Sequence, residues 1–255
     1  MKDIINIISL TNAGVVISND HTGLLVDGLY DETPPFPPMP ACLAEDLLQG
    51  RQPGGKVDFL LFTHLHGDHF SLGKILTYLD HNSPKGMVFP WEYSVFDKLE
   101  ASLARHKTAS YPLMLARGAG RQISLCDGLT ITAWNTGHMG SQFTAVDHYS
   151  FFITLGEQNI LVTGDSDYDE EGFRQMLGGQ PVDIALVNPL FLHNPKGARI
   201  LETVIRPRAV VIYHIPYRGD DVTVLRALTK RLLQKHAAAP YRLFALEQPL
   251  QRFSF

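Results

Sequence analysis

The stretch Leu60–Phe70, LLFTHLHGDHF, carries the strongest chemical signal in this sequence of 255 residues. After an apolar run it places four polar side chains within six residues, which are His64, His66, Asp68 and His69. Neutral imidazole and carboxylate groups are good ligands for zinc and similar divalent ions. Burying such groups beside a core strand without a metal would be costly. The stretch therefore predicts a metal-binding loop at the end of a buried strand.

The spacing within this loop divides its side chains into two pairs. In an extended segment alternate side chains share a face, so His64 and His66 are placed to bind one ion together. Gly67 allows the backbone to bend, and Asp68 and His69 follow this bend. They are therefore placed to face a second ion. The loop predicts half of a two-metal site, whose other ligands must come from elsewhere in the chain.

Three further candidate ligands each follow a predicted strand. His138 lies in NTGHMG, Asp165 in LVTGDSD and His214 in VVIYHIP. A side chain at the end of a strand is held by a rigid scaffold, as a metal ligand has to be. Taken alone, each would be interpreted as an ordinary turn or surface residue. In the presence of the HLHGDH loop, the three are predicted to complete the metal site.

Composition limits the classes of partner. Hydrophobic residues make up 45% of the chain and charged residues 19%, which is typical of a folded globular protein. The net charge of -4 argues against a nucleic acid partner, since proteins that bind nucleic acids usually carry a basic surplus. A small-molecule substrate is therefore expected, and homo-oligomerisation is left open.

Cysteine usage and hydropathy indicate the compartment. The two cysteines, Cys42 and Cys126, have no CxxC spacing and are predicted to be free thiols in a reducing compartment. The N-terminal run MKDIINIISL lacks the basic start and long apolar core of a secretory signal. No segment approaches the roughly 18 apolar residues of a membrane helix. A cytoplasmic protein without a membrane partner is expected.

The order of predicted elements indicates the fold class. Three short strands near the N-terminus form a predicted antiparallel meander, and residues 57–62 form a buried strand. A second set of strands follows the chain midpoint, with helices grouped after each set. This order predicts two sheets packed face to face with helices outside, in a single domain over residues 1–255.

The segment Asp31–Pro40, DETPPFPPMP, stands apart from this pattern. Its five prolines exclude a helix and a central strand. Phe36 and Met39 are apolar residues without a regular element to bury them. The segment is interpreted as a stiff loop, and two placements are open, over a pocket or packed on the body of the protein.

The motif THLHGDH resembles the HxHxDH signature of the metallo-β-lactamase superfamily. His138, Asp165 and His214 come in the order of the family's later motifs, and Asp27 resembles its first-motif aspartate. The resemblance extends from the first strands to His214. It implies an α+β fold, a four-layer αββα sandwich of two mixed sheets, with the metals at one edge of the sheets.

The resemblance also implies a full set of ligands for two divalent ions. Zinc is the expected metal, with Mn²⁺ and Fe²⁺ as alternatives. The first ion would be bound by His64, His66 and His138, the second by Asp68, His69 and His214, and Asp165 would bridge them. Asp27 would hold the ligand loop by hydrogen bonds. No ligand is missing, which favours a working enzyme over a binding protein without catalytic activity.

The activity implied is hydrolysis by a metal-activated water, with an ester, lactone or phosphodiester as the expected bond. Asp68 is the predicted catalytic carboxylate, which takes or orients the proton of the water. His193 and Asn194 are candidate substrate contacts, because small lactonase-like members resemble this chain in having a pocket loop there. Tyr217, which follows His214, is a third candidate.

Two other activities are weighed against this one. The first is a metal-dependent nuclease or phosphodiesterase acting on nucleic acid. Relatives of that kind carry an inserted cap domain or a protruding arm, for which this chain has no room. The second is a di-iron redox protein, but such members typically carry Glu in the place of His66. A hydrolase of a small molecule is therefore the preferred hypothesis.

Overall fold

The computed structural model describes residues 3–218 and 221–255. Two compact units are present, and each is described by itself. The N-terminal unit comprises residues 4–114, 216–220 and 248–255, and the C-terminal unit comprises residues 1–3, 115–215 and 221–247. The single domain over residues 1–255 stays a prediction.

The described residues form fourteen strands and seven α-helices. The strands are β1 (Asn6–Thr11), β2 (Gly14–Ser18), β3 (Gly23–Val26), β4 (Phe59–Leu61), β5 (Gly86–Pro90), β6 (Ala109–Leu113), β7 (Gly120–Cys126), β8 (Leu129–Asn135), β9 (Tyr149–Leu155), β10 (Gln158–Val162), β11 (Ile184–Val187), β12 (Ala209–Ile212), β13 (Arg242–Ala245) and β14 (Arg252–Ser254). The helices are α1 (Ala41–Leu48), α2 (Leu72–His81), α3 (Tyr93–Arg105), α4 (Glu170–Leu177), α5 (Pro189–His193), α6 (Pro195–Ile200) and α7 (Leu225–Lys235). A 3-10 turn spans Ser141–Phe143, and a π-helical turn, Leu201–Ile205, continues α6.

The N-terminal unit contains a mixed sheet of seven strands in the order β14-β1-β2-β3-β4-β5-β6. Strands β1, β2 and β3 pair antiparallel, which confirms the predicted meander, and β3 to β6 pair parallel. Val26 pairs with Leu61 at the ends of β3 and β4. Parallel strands end at the same edge of a sheet, so Asp27 and the HLHGDH loop leave the sheet side by side.

The C-terminal unit contains a second mixed sheet of seven strands, in the order β13-β12-β11-β10-β9-β8-β7. Strands β7 to β10 pair antiparallel, and β10 to β13 pair parallel. The carboxyl ends of β10, β11 and β12 therefore meet at one edge. Asp165, Asn188 and His214 follow these three ends.

Helix α2 begins at a side-chain cap. Ser71 is extended and its hydroxyl accepts a hydrogen bond from the backbone N–H of Lys74 at 3.3 Å, which caps the helix. Ile75, Tyr78 and Leu79 recur at helical spacing and are buried in the core of the N-terminal unit. The helix thus fixes the chain that leaves the HLHGDH loop.

Four elements were not predicted from the sequence. Strand β6 contains Pro112, which is tolerated because β6 is the edge strand of its sheet. The three-residue strand β14 was not predicted. Residues 188–196, predicted as a loop, contain α5 and the start of α6. Asn188 and Asn194 cap these helices, and a proline follows each at the first helical position.

No helix within residues 3–218 and 221–255 combines the length and apolar character needed to cross a membrane.

Two exposed lysines pair with the buried Asp58 at the start of β4. Asp58 is only 2% exposed. Its carboxylate lies 2.8 Å from the Nζ of Lys56 and 3.0 Å from that of Lys85, and it accepts a hydrogen bond from Gly23 N at 3.1 Å. Burial alone raises the pKa of Asp58, but the hydrogen bonds from both lysines and from Gly23 outweigh it and hold the pKa below its ordinary value.

These ion pairs predict an acid-sensitive contribution to stability. Because the folded-state pKa of Asp58 is lower than the unfolded one of about 4, its contribution is full above that pH and is lost as pH falls through the folded-state pKa. We expect Asp58→Asn to lower the free energy of unfolding by about 1–2 kcal/mol at pH 7, and by less at pH 3. Urea titrations at both pH values measure the difference. Asp20→Asn, at an exposed turn, is the control, and a loss that is equal at both pH values contradicts the prediction.

Candidate metal centre

In the N-terminal unit, the buried carboxylate of Asp27 joins the ends of β3 and β4. Its Oδ1 accepts a hydrogen bond from the backbone N–H of Thr63 at 2.8 Å, and its Oδ2 accepts one from the Thr63 hydroxyl at 2.7 Å. Both residues have no exposed surface. The residue immediately before His64 is thus fixed to the neighbouring strand by two hydrogen bonds to a charged group.

The same network assigns the tautomer of His64. The Thr63 hydroxyl gives its single proton to Asp27, so it accepts from the Nδ1 of His64 at 3.0 Å. The Nε2 of His64 therefore carries a lone pair. It lies 3.0 Å from the Nδ1 of His66, so the two imidazoles converge as the alternation of side chains predicts.

His69 is oriented by the same carboxylate. Its Nδ1 lies 3.0 Å from the Oδ2 of Asp27 and donates to it, which leaves the lone pair on Nε2. This Nε2 lies 3.7 Å from the Oδ2 of Asp68. Two electron-rich atoms at this separation are too far apart for a hydrogen bond, and a cation between them would be attracted to both. The bend is closed by the N–H groups of His69 and Phe70, which both donate to His66 O at 2.9 Å.

In the C-terminal unit, Asp165 is held at two points after the end of β10. Its backbone N–H donates to the Nε2 of His148 at 2.8 Å, and its Oδ1 accepts from the Nδ2 of Asn188 at 2.7 Å. The remaining oxygen, Oδ2, lies 3.8 Å from the Nε2 of His138 and 3.7 Å from the Nε2 of His214. The carboxylate is thus flanked by two imidazoles at the same separation as in the N-terminal unit.

A backbone hydrogen bond sets the orientation of one of these imidazoles, that of His138. His138 donates its Nδ1 proton to Met139 O at 2.6 Å, which leaves a lone pair on Nε2. An isolated bridge between His138 and Ser166 holds its loop beside Asp165. His214 has a φ of +59°, which is uncommon for a residue with a side chain and clusters at functional sites.

These donors fit a divalent cation. Four of the imidazoles are at most 5% exposed, and these are His64, His69, His138 and His214. In each unit a nitrogen lone pair faces a carboxylate oxygen across 3.7–3.8 Å. Histidine and aspartate are the ligand types of zinc, and they also suit manganese and iron. The chain therefore contains groups of His and Asp side chains able to hold a metal ion.

Two residues that hold Asp165 were missed in the sequence. His148 precedes a strand, and this position alone suggests a structural histidine. It is fully buried, and beyond its contact with Asp165 its Nδ1 donates to the Thr136 hydroxyl at 3.0 Å. Asn188 also caps α5 by accepting from Phe191 N at 2.8 Å. The dipeptide Asn188–Pro189 is a recognisable helix start, whereas no local pattern marks His148.

The three candidate substrate contacts lie on loops and helix ends. His193 is exposed at the end of α5. Asn194 caps α6 by accepting from Lys196 N at 2.9 Å. Tyr217, in the N-terminal unit, donates its hydroxyl to Pro38 O at 2.8 Å. Asn194 and Tyr217 therefore have structural contacts, and the substrate-binding role of all three stays a prediction.

Comparison with solved structures identifies the fold. No family model matches the sequence, and no curated protein matches it. Igni18, a metallo hydrolase from the archaeon Ignicoccus hospitalis, is 16% identical with a TM-score of 0.65, over 99% of this chain and 98% of its own. YhfI from Bacillus subtilis, described as a metallo-β-lactamase fold protein, is 16% identical with a TM-score of 0.61 over all of both chains. The chain has the metallo-β-lactamase fold.

A third similar structure is an isothiocyanate hydrolase from Delia radicum gut bacteria, which is 18% identical with a TM-score of 0.63, over 98% of this chain and 99% of its own. The two mixed seven-stranded sheets with helices agree with this metallo-β-lactamase fold. The predicted fold class is thereby confirmed.

The contact between His148 and Asp165 predicts a loss of metal affinity when it is removed. His148→Phe leaves the buried N–H of Asp165 without its acceptor. We expect metal affinity to fall about 10–100-fold, which is the usual effect of removing a group that hydrogen-bonds to a metal ligand. His148→Gln should retain more affinity, because its amide oxygen can replace Nε2 as the acceptor. Chelator competition with Zn²⁺ measures the affinities.

His236→Phe is the matched control, because it removes a histidine of the same unit that is 8% exposed and has a hydrogen bond to Tyr241. Wild-type affinity in the folded His148→Phe protein would show that Asp165 does not need this contact.

Proposed function

We propose that this protein is a hydrolase that depends on two divalent metal ions, with zinc as the expected metal. His64, His66 and His138 would hold one ion, Asp68, His69 and His214 the other, and Asp165 would serve both. The observation that carries the proposal is the approach of imidazole Nε2 atoms to carboxylate oxygens, at 3.7–3.8 Å in each unit. The metal-dependent hydrolases among the similar structures support it.

In this proposal, some residues of the chain orient the metal ligands and one transfers a proton. Divalent ions, when bound, lower the pKa of a water molecule and polarise the bond to be cleaved. Asp68 is the carboxylate proposed to take the proton of the attacking water and to return it to the leaving group. Asp27 places the Nδ1 protons of His64 and His69 on the side away from the site and directs their Nε2 atoms to it, through Thr63 and directly. Asp165 is kept in place by His148 and Asn188.

The proposed substrate is a small molecule with an ester, lactone or phosphodiester bond. The net charge of -4 disfavours a polyanion, because phosphate binding by proteins relies on basic side chains. The carboxylates of Asp68 and Asp165 make the proposed site negative. Two bound cations would reverse this charge, so that the oxygen atoms of such a substrate are attracted to the site.

A substrate panel tests the proposal directly. Protein of measured metal content is assayed on esters, thioesters, lactones and phosphodiesters, with a short RNA as the nucleic acid substrate. We expect hydrolysis of at least one small-molecule class, with kcat/KM reduced at least about 100-fold in His69→Ala, because a ligand of the proposed site is lost. Removal of metal by a chelator should abolish the activity, and added Zn²⁺ should restore it.

His21→Ala is the matched control, because His21 is an exposed histidine in a turn of the N-terminal unit. Metal-loaded wild-type protein that cleaves no substrate contradicts the proposal, as does an activity that His69→Ala leaves intact. Cleavage of the RNA alone would assign the protein to the nucleases.

A further inference from the structure

We propose that Tyr217 is a positioning residue that fixes the segment Thr33–Pro38 as an apolar wall beside the HLHGDH loop, and that this wall selects substrates carrying an apolar group. The inference rests on the proposed hydrolase function and adds the class of substrate. All the contacts that support it lie within the N-terminal unit.

The start of the proline-rich loop lies directly on the bend of the HLHGDH loop. The backbone N–H of Asp31 donates to Gly67 O at 2.9 Å. A Cβ atom on Gly67 would lie 2.6 Å from the Oγ1 of Thr33, so the two segments approach each other closely at this glycine. Gly67 lies between His66 and Asp68 in the sequence. Thr33 therefore contacts the residue that separates two predicted metal ligands.

The far side of the loop is held through its carbonyl groups. Proline has no N–H to donate, so a segment rich in proline has to be fixed by donors from other elements. Asn12 Nδ2 donates to Pro37 O at 2.7 Å, and the Tyr217 hydroxyl donates to Pro38 O at 2.8 Å. Asn12 is 3% exposed, and Met39, which follows, is buried in the core. Asn12 and Tyr217 thus hold two consecutive carbonyl groups of this loop.

A third anchor holds the entrance of the loop. Lys74, on α2, donates its Nζ to Tyr30 O at 2.5 Å and lies 3.6 Å from Asp31 Oδ1. The Tyr30 hydroxyl contacts Thr11 and accepts from Asn12 Nδ2 at 3.1 Å. The loop is therefore attached at both ends, which describes a preformed wall rather than a lid that closes on substrate.

The side chains that this wall offers are apolar. Residues 33–38, TPPFPP, contain no charged group. Phe36 follows a turn that is closed by its N–H donating to Thr33 O at 2.9 Å, and it is partly exposed. A rigid aromatic and proline surface binds apolar groups with little loss of conformational entropy. Each buried methylene group contributes about fourfold in affinity, so the wall should favour a long alkyl chain over a short one.

The test compares two substrates that differ only in a butyl or a decyl group, within the bond class that the protein hydrolyses. They are the p-nitrophenyl esters of pentanoate and undecanoate, the γ-lactones of eight and fourteen carbons, or butyl and decyl p-nitrophenyl phosphate. We expect wild type to prefer the decyl substrate, and Phe36→Ala to lower the decyl-to-butyl ratio of kcat/KM about tenfold. Tyr217→Phe should lower it about three- to fivefold by raising KM for the decyl substrate, with unchanged metal content.

Tyr93→Phe is the matched control, because Tyr93 is a 72% exposed tyrosine of the same unit, on α3. The proposal is overturned if wild type shows no preference for the decyl group. It is also overturned if the Phe36 and Tyr217 variants lower kcat for both substrates equally, which indicates a structural role only.

Binding by calorimetry separates this inference from the proposed function. Metal-loaded protein is titrated with pentanoate and undecanoate. Tighter binding of undecanoate that Phe36→Ala weakens about tenfold supports the wall even in a protein that hydrolyses nothing, whereas equal binding of both acids overturns it.

Discussion

The buried carboxylate of Asp27 is the constraint on which the candidate ligands of the N-terminal unit depend. It has no exposed surface, and it accepts hydrogen bonds from the N–H and hydroxyl of Thr63 and from His69. A buried charge is tolerated only when it is satisfied in this way. These bonds determine which nitrogen of His64 and of His69 carries a proton. The fold thereby fixes where the lone pairs of His64 and His69 point.

In the C-terminal unit, different contacts fix the candidate ligand Asp165. Asp165 is held by the imidazole of His148 at its backbone and by the amide of Asn188 at its carboxylate, and the parallel strands β10 to β12 bring its neighbours to the same edge. His148 accepts from a backbone N–H, so it has to be neutral and protonated on Nδ1. His64, His69 and His138 are each oriented by a hydrogen bond on the far side of the ring, as histidines in metal sites generally are.

The sequence allowed the fold class to be predicted and the candidate ligands to be named, because the signals were local. HLHGDH places four candidate ligand side chains within six residues, and His138, Asp165 and His214 each follow a recognisable strand. His148 could not be assigned, because its contact with Asp165 depends on the pairing of β9 with β10 and not on any pattern nearby. Nor could the contact of Tyr217 with Pro38, which joins residues 179 positions apart. The helices α5 and α6 were missed although both begin with Asn-Pro, a local signal that was present.

The central claim is that the two sets of ligands hold a pair of metal ions together. Anomalous diffraction from crystals of the zinc-loaded protein, recorded on both sides of the zinc edge, tests it most directly. The account predicts two zinc peaks about 3.5–4 Å apart. One should be bound by His64, His66 and His138, the other by Asp68, His69 and His214, with Asp165 contacting both. Crystals in which these seven side chains bind no zinc, or in which zinc occupies other residues, would contradict it.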